Sequence, residues 1–200
     1  MITSDYIHIK NNQVNLNGEL FFKQETNSSP IFLSDLYKHI GMTYPKFHKM
    51  DSLCKLGIIA SEILLQKNDV TKKHDLDKIG IVISNATSSI DTDRLHQLSI
   101  NDKNNYFPSP AVFVYTLPNI VIGEISIKHK ITGENAFLIS EKFNTKQLIN
   151  YTHSLLNENT DAVLLGWLEA DAEKQEAFLF IMEKGTTYDF HQIEKVYQSL

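Results

Sequence analysis

The pattern of apolar and polar positions is clearest between Gly133 and Ala170. Ala136 to Ile139 is a short apolar segment, and Ser140 to Thr145 is a polar junction. Leu148, Ile149, Thr152, Leu155 and Leu156 then recur about one turn apart, which predicts a helix. Asn159 and Asp161 end it, and Ala162 to Leu168 reads as a second buried strand. A strand, a helix and a strand in such close succession form a βαβ unit, whose strands are expected to be parallel neighbours covered on both faces.

The flanking chain supplies more elements. Tyr6 to Lys10 and Gly18 to Lys23 read as strands joined by an Asn-rich turn around Asn11, Asn12, Asn15 and Asn17. Gln24 to Pro30 is a polar loop, Leu33 to Ile40 a short helix stopped by Gly41, and Tyr44-Pro45 restarts the chain. Met50 to Leu65 carries a broad apolar helical face that includes Cys54, with Asp51 in its first turn. Lys67 to Lys78 reads as a charged loop, and Ile79 to Ser84 as a central parallel strand. Asn85 to Ser89 sits at that strand's carboxyl end, where α/β folds place ligands, although no Gly-rich phosphate loop accompanies it. Asp91 to Leu98 reads as a surface helix with Asp91 as its cap, and Asn101 to Asn105 as a loop. Pro108 to Lys130 reads as two helical pieces meeting at Pro118-Asn119, with Gly123 permitting close packing. The acidic link Asp171 to Gln175 is too short for a crossover, so Ala177 to Met182 is expected to pair antiparallel with the strand before it. Tyr188 to Leu200 closes the chain as a helix.

Composition narrows the classes. With 200 residues, 42% apolar and 22% charged, one globular domain over 1–200 is expected. A formal charge of −5 without a basic stripe argues against nucleic acid. The single cysteine, Cys54, allows no intrachain disulfide and reads as a small core residue. The first ten residues lack a signal-peptide pattern. The most apolar stretch, Pro110 to Ile127, is interrupted by Pro118-Asn119 and Glu124, so no membrane span is expected and a cytoplasmic location follows.

Catalytic and metal signatures are missing. The chain has no GxSxG, HExxH, P-loop or GxGxxG, and its eight histidines show no ligand spacing, so no metal or cofactor is expected. At the Ser140 to Thr145 junction a helix N-terminus would favour an anion such as a thiolate. Glu141 and Lys142 are poor nucleophiles there, and Asn144 or Thr145 is the expected cap.

Four stretches in order resemble the N-terminal half of β-ketoacyl synthases, of the thiolase-like fold. They are Lys49-Met50-Asp51 before a buried helix, IGIVISNATSS, SPAVFVYTLPNIVIGEISIKHKITGEN and DAVLLGWLEA. The resemblance spans about Phe47 to Ala170. It implies an α/β thiolase-like half-domain: a five-stranded mixed sheet, mostly parallel with the last strand antiparallel, covered by helices. The family's nucleophilic cysteine falls at Lys142, and its two histidines belong to a second half-domain with no counterpart in these residues. The sequence is similar to half-length, chain-length-factor-like subunits of aryl polyene and flexirubin pigment clusters. That implies a non-catalytic partner of an active ketosynthase, with an acyl carrier protein as a further partner and a homodimer possible in isolation. The implied interface and acyl-tunnel residues are Phe113, Leu117, Asn119, Ile120, Gly123, Phe137 and Ile139. The polar side of the 145–157 helix (Lys146, Asn150, His153, Asn157) is expected to face water or a polar contact in place of the missing half. Two alternatives stand beside this reading: a self-associating or carrier-docking module, and an acyl-thioester enzyme using Ser140, Glu141 or Lys142.

Overall fold

The structure, a computed structural model, describes residues 4–25, 29–104, 106–171 and 174–199. Residues 26–28 of the expected polar loop, Asn105, residues 172–173 of the acidic link, and Leu200 of the closing helix lie outside them. In chain order the elements are β1 (Tyr6–Lys10), β2 (Gln13–Leu16), β3 (Glu19–Lys23), α1 (Ser29–His39), α2 (Ser52–Lys67), α3 (Val70–Lys73) and β4 (Ile79–Asn85). Then follow α4 (Ile90–Ile100), α5 (Pro110–Val114), α6 (Ile120–His129), β5 (Asn135–Ile139), α7 (Thr145–Asn157), β6 (Ala162–Ala170), β7 (Gln175–Glu183) and α8 (Phe190–Gln198). Short 3-10 turns, Pro45–Lys49 and Leu76–Lys78, precede α2 and β4.

The described strands form one seven-stranded sheet, ordered β3-β2-β1-β7-β6-β4-β5, rather than the five expected. Six of the seven are the strand segments read from the sequence, both N-terminal ones joining the same sheet, and the seventh comes from inside the Asn-rich turn. Asn11 and Asn12 (φ 52° and 55°) close one two-residue hairpin, and Asn17 and Gly18 (φ 55° and 86°) close another. Paired left-handed residues match the right-handed twist of the flanking strands, so Gln13–Leu16 is a strand between two tight turns. The β1–β3 meander extends the sheet beyond β1. The mostly parallel expectation also changes: β4 pairs parallel with β5 and β6, while the other four pairings are antiparallel. The last strand, β7, is antiparallel to β6, as its short link requires.

The two strands of the expected βαβ unit are parallel but not neighbours, because β4 lies between them. β4 and β6 are buried throughout, which takes the two inner places. β5 is exposed at both ends and only half-buried between, and it forms the sheet's edge.

Alternation along the strands builds two cores. Ile7, Ile9, Ile81, Ile83, Leu164, Leu168, Leu179 and Ile181 face α1, α2 and α6. Val82, Val163, Leu165, Trp167, Phe178, Phe180 and Met182 face α7 and α8. The result is a helix–sheet–helix sandwich. Helix α2 is capped by Asp51, whose carboxylate accepts from the Cys54 N–H at 2.9 Å, and buries most of its length. Gly57, not Gly123, is the glycine on which helix packing depends. A Cβ at Gly57 would lie 2.4 Å from Val121 Cγ2 of α6, whereas a Cβ at Gly123 would meet nothing within 4 Å.

Two smaller expectations shift. The charged loop contains α3, pinned by buried Val70. The α4 N-cap is Ser89, and Asp91 instead sits in the first turn, paired with Arg94 at 3.3 Å. Lys146, Asn150, His153 and Asn157 of α7 are exposed, while Leu148, Ile149, Thr152, Leu155 and Leu156 are buried.

Candidate functional site

Strand registers bring the chemistry-bearing residues to one end of the sheet. Asn85 lies opposite Ile139, Ser84 opposite Trp167, Glu169 opposite Glu176, and Lys10 opposite Glu176 on the other side. This is the carboxyl end of the parallel strands, where the β5–α7 junction enters. Asn144 caps α7 by accepting from the Gln147 N–H at 3.0 Å. The Ser140 N–H donates to the Asn85 carbonyl at 2.8 Å, and its hydroxyl donates to Gln147 Oε1 at 2.6 Å. Glu141 and Lys142 are exposed.

No hydrogen bond to a histidine or carboxylate among the described residues equips the Ser140 hydroxyl with a base. A side-chain nucleophile needs such a partner, or a lowered pKa, to act at neutral pH. The only thiol is elsewhere: Cys54 is buried in α2, where burial, then the neighbouring Asp51, push its pKa up. That is the opposite of an activated thiolate.

Phe143, the one buried residue between Ser140 and Asn144, anchors the junction. Its ring lies 4.4 Å from Tyr197, 5.5 Å from Phe178 and 6.4 Å from Trp167. Beneath Tyr197 is a polar group that the sequence reading missed. His8, fully buried, stacks on the Tyr197 ring at 5.5 Å and lies 3.5 Å from Glu176. Glu176 also pairs with Lys10 (3.1 Å) and Lys174 (2.9 Å). Burial alone would raise the Glu176 pKa, but contacts from His8, Lys174 and Lys10 outweigh it and hold the carboxyl well below its usual range. Burial, then the Glu176 charge, push the Tyr197 phenol up. Glu169, on the same face, accepts from the Ala86 N–H at 2.8 Å and from the Thr87 hydroxyl. One signal could have found these residues: His8, Glu169 and Glu176 occupy core-facing positions in otherwise apolar strands. Among the described residues no cluster of His, Cys, Asp and Glu could hold a metal.

The residues expected at an interface fall on neighbouring elements. Phe113 (54% exposed) and Leu117 (50%) project from α5 and the turn after it, and Ile139 (54%) from the end of β5. Asn119 is exposed, and Ile120, Gly123 and Phe137 are half-buried. Ile127 of α6, 64% exposed, adds to them. From Pro108 to Gly123 the chain carries no charge. The free edge of β5 leaves backbone donors and acceptors open beside α6. A cleft of about 590 Å³ opens at the other end of the sheet, where Asn17 and Asn68 both donate to Asp5 (2.7 and 2.6 Å). It is polar and remote from the junction.

The helix–sheet–helix sandwich shares its fold with solved ketosynthase structures. A chain of AntDE:AntF, a type II PKS acyl-carrier protein in complex with its ketosynthase bound to the hexaketide, superposes with a TM-score of 0.62 at 14% identity. That match covers 97% of this chain and 64% of the other, so this chain spans under two thirds of that neighbour's length. A chain of the ketosynthase ApeO in complex with its chain length factor ApeC, from Xenorhabdus doucetiae, gives 0.60 at 13% identity, covering 93% and 79%. A β-ketoacyl synthase from Burkholderia phymatum gives 0.52 at 13%, covering 77% and 46%. No family model and no curated protein sequence matches the chain. Identities this low establish the fold alone. Among the described residues no helix is long and apolar enough to cross a membrane.

Proposed function

We propose that this chain is a non-catalytic, chain-length-factor-like subunit, one domain over residues 1–200, that pairs with an active β-ketoacyl-ACP synthase in the cytoplasm. Its pathway is fatty-acid or polyketide-type biosynthesis of the aryl polyene or flexirubin kind, with an acyl carrier protein as the second partner. The observation that carries this reading is the apolar surface of the uncharged run Pro108 to Gly123, with Ile127 and the β5 edge beside it, on a ketosynthase fold whose junction presents Lys142. Large exposed apolar side chains on adjacent elements are a docking signature. In this reading Phe113, Leu117, Asn119, Ile120, Gly123, Phe137 and Ile139 meet the partner and line part of the acyl path.

Co-expression with the ketosynthase of its own source, followed by size-exclusion chromatography with light scattering, tests the pairing. A 1:1 complex whose acyl-product length changes when this chain is left out is expected. Separate elution with unchanged products refutes it, and a homodimer that binds carrier protein alone supports the self-associating alternative instead. Lys142→Ala is expected to leave the products of the pair unaltered. Turnover of acyl-thioesters by the isolated chain, abolished by Lys142→Ala, would establish an enzyme.

A further inference from the structure

The loop Asn85–Ser89 ties three parts of the molecule together. The buried Asn85 side chain holds the loop closed: Nδ2 donates to the Ser88 carbonyl at 2.8 Å, and Oδ1 accepts from the Ser88 N–H at 3.0 Å. Ser88 itself sits in the left-handed region (φ 55°), a conformation that a non-glycine residue keeps only when its surroundings impose it. From the sheet side, the buried Glu169 carboxylate takes the Ala86 N–H on one oxygen and the Thr87 hydroxyl on the other. Towards the junction, the Asn85 carbonyl accepts from the Ser140 N–H. Towards the apolar surface, the buried Ser89 hydroxyl donates to the Thr116 carbonyl at 2.6 Å.

Thr116 belongs to the corner between α5 and α6 that carries Phe113 and Leu117. Helix α5 is only five residues long and none of its residues is fully buried, so its own packing holds it weakly. Three contacts place it: Tyr115, its C-cap, packs on the core and donates to Glu124 at 3.5 Å, the His96 ring lies 5.4 Å from Phe113, and Ser89 bonds Thr116. We propose that Glu169 is a positioning residue for this corner. It acts through the 86–89 loop and Ser89, without touching the surface it places. The consequence for partner binding rests on the pairing proposed above, while the internal coupling does not.

Hydrogen–deuterium exchange on the isolated full chain reads the coupling directly. Glu169→Gln keeps the side-chain shape but removes the charge from both bonds: one amide oxygen remains to accept from the Ala86 N–H, and the Thr87 hydroxyl must turn to accept from Nε2. It is expected to speed exchange about tenfold at both 86–89 and 113–118, the order expected for loss of one buried hydrogen bond. Ser89→Ala is expected to speed 113–118 by a similar factor. The double variant is expected to add nothing further at 113–118, because both changes cut the same link. Amides of the β1–β3 meander serve as the unaffected control. Unchanged exchange at 113–118 in Glu169→Gln, or additive effects in the double variant, overturns the proposal. If Glu169→Gln does not fold, Thr87→Val takes its place under the same criteria. In the co-purified ketosynthase complex, Ser89→Ala is expected to weaken association about fivefold. Coupled exchange without any complex sinks the pairing alone, and a complex without coupled exchange sinks this inference alone.

Discussion

The sharpest prediction concerns the double variant Phe113→Ala/Ile139→Ala. Both side chains are 54% exposed in the isolated chain. Fully burying a large apolar side chain is worth about 1.5–3 kcal/mol, so the half still in water contributes about 1 kcal/mol or slightly more when a partner covers it. Two such contacts on separate elements sum to about 2–3 kcal/mol, on the order of 50-fold in Kd. The other half of each side chain is already buried in the monomer, so the same bookkeeping gives the isolated chain a loss of about 1 kcal/mol per residue, about 2 kcal/mol in all. Titration of wild-type and variant chains against the ketosynthase, with urea melts of each alone, separates the two effects. An unchanged Kd with an intact fold refutes the assignment of this surface. A loss of stability far above about 2 kcal/mol would show that these side chains hold the monomer together rather than serve the surface.

Three other perturbations probe the interior. Gly57→Ala places a methyl 2.4 Å from Val121 Cγ2 and is expected to destabilise by about 1–3 kcal/mol despite alanine's helix preference; Val121→Ala should restore part of the melting temperature. Glu176 has a depressed folded-state pKa, so its contribution is present above its ordinary value of 4.5 and is lost as pH falls towards the folded value. Urea midpoints measured from pH 7 down to pH 3 should therefore fall more steeply for wild type than for Glu176→Gln; parallel curves would count against the network around His8. Cys54 should resist thiol reagents in the native chain and react at once in urea, and rapid native labelling would contradict its burial.

Much of the fold was legible in the chain because it rests on local rules. The run Ile79 to Ser84 is short and rich in β-branched residues, which favours the buried strand it forms, and Asp51 before a broad apolar face starts α2 as expected. Pro110 and Pro118-Asn119 bound the two helical pieces, and Asn144 caps α7. The Asn-rich turn misled because left-handed pairs at Asn11-Asn12 and Asn17-Gly18 leave room for a strand between them. Gly123 misled for a different reason: a small residue marks close packing only where another element approaches, and that place is Gly57.

For the candidate site, sequence alone determined the absence of a cysteine at the junction and the long uncharged run from Pro108 to Gly123, since both are matters of residue identity. Only the tertiary structure decided that β4 separates β5 from β6, that β5 is left as an open edge, and that His8, Glu169 and Glu176 share one buried sheet face, with Tyr197 of α8 stacked on His8. Strand order and the meeting of residues more than a hundred positions apart follow from which faces can be covered together. That is a property of the whole packed chain, and no local pattern records it.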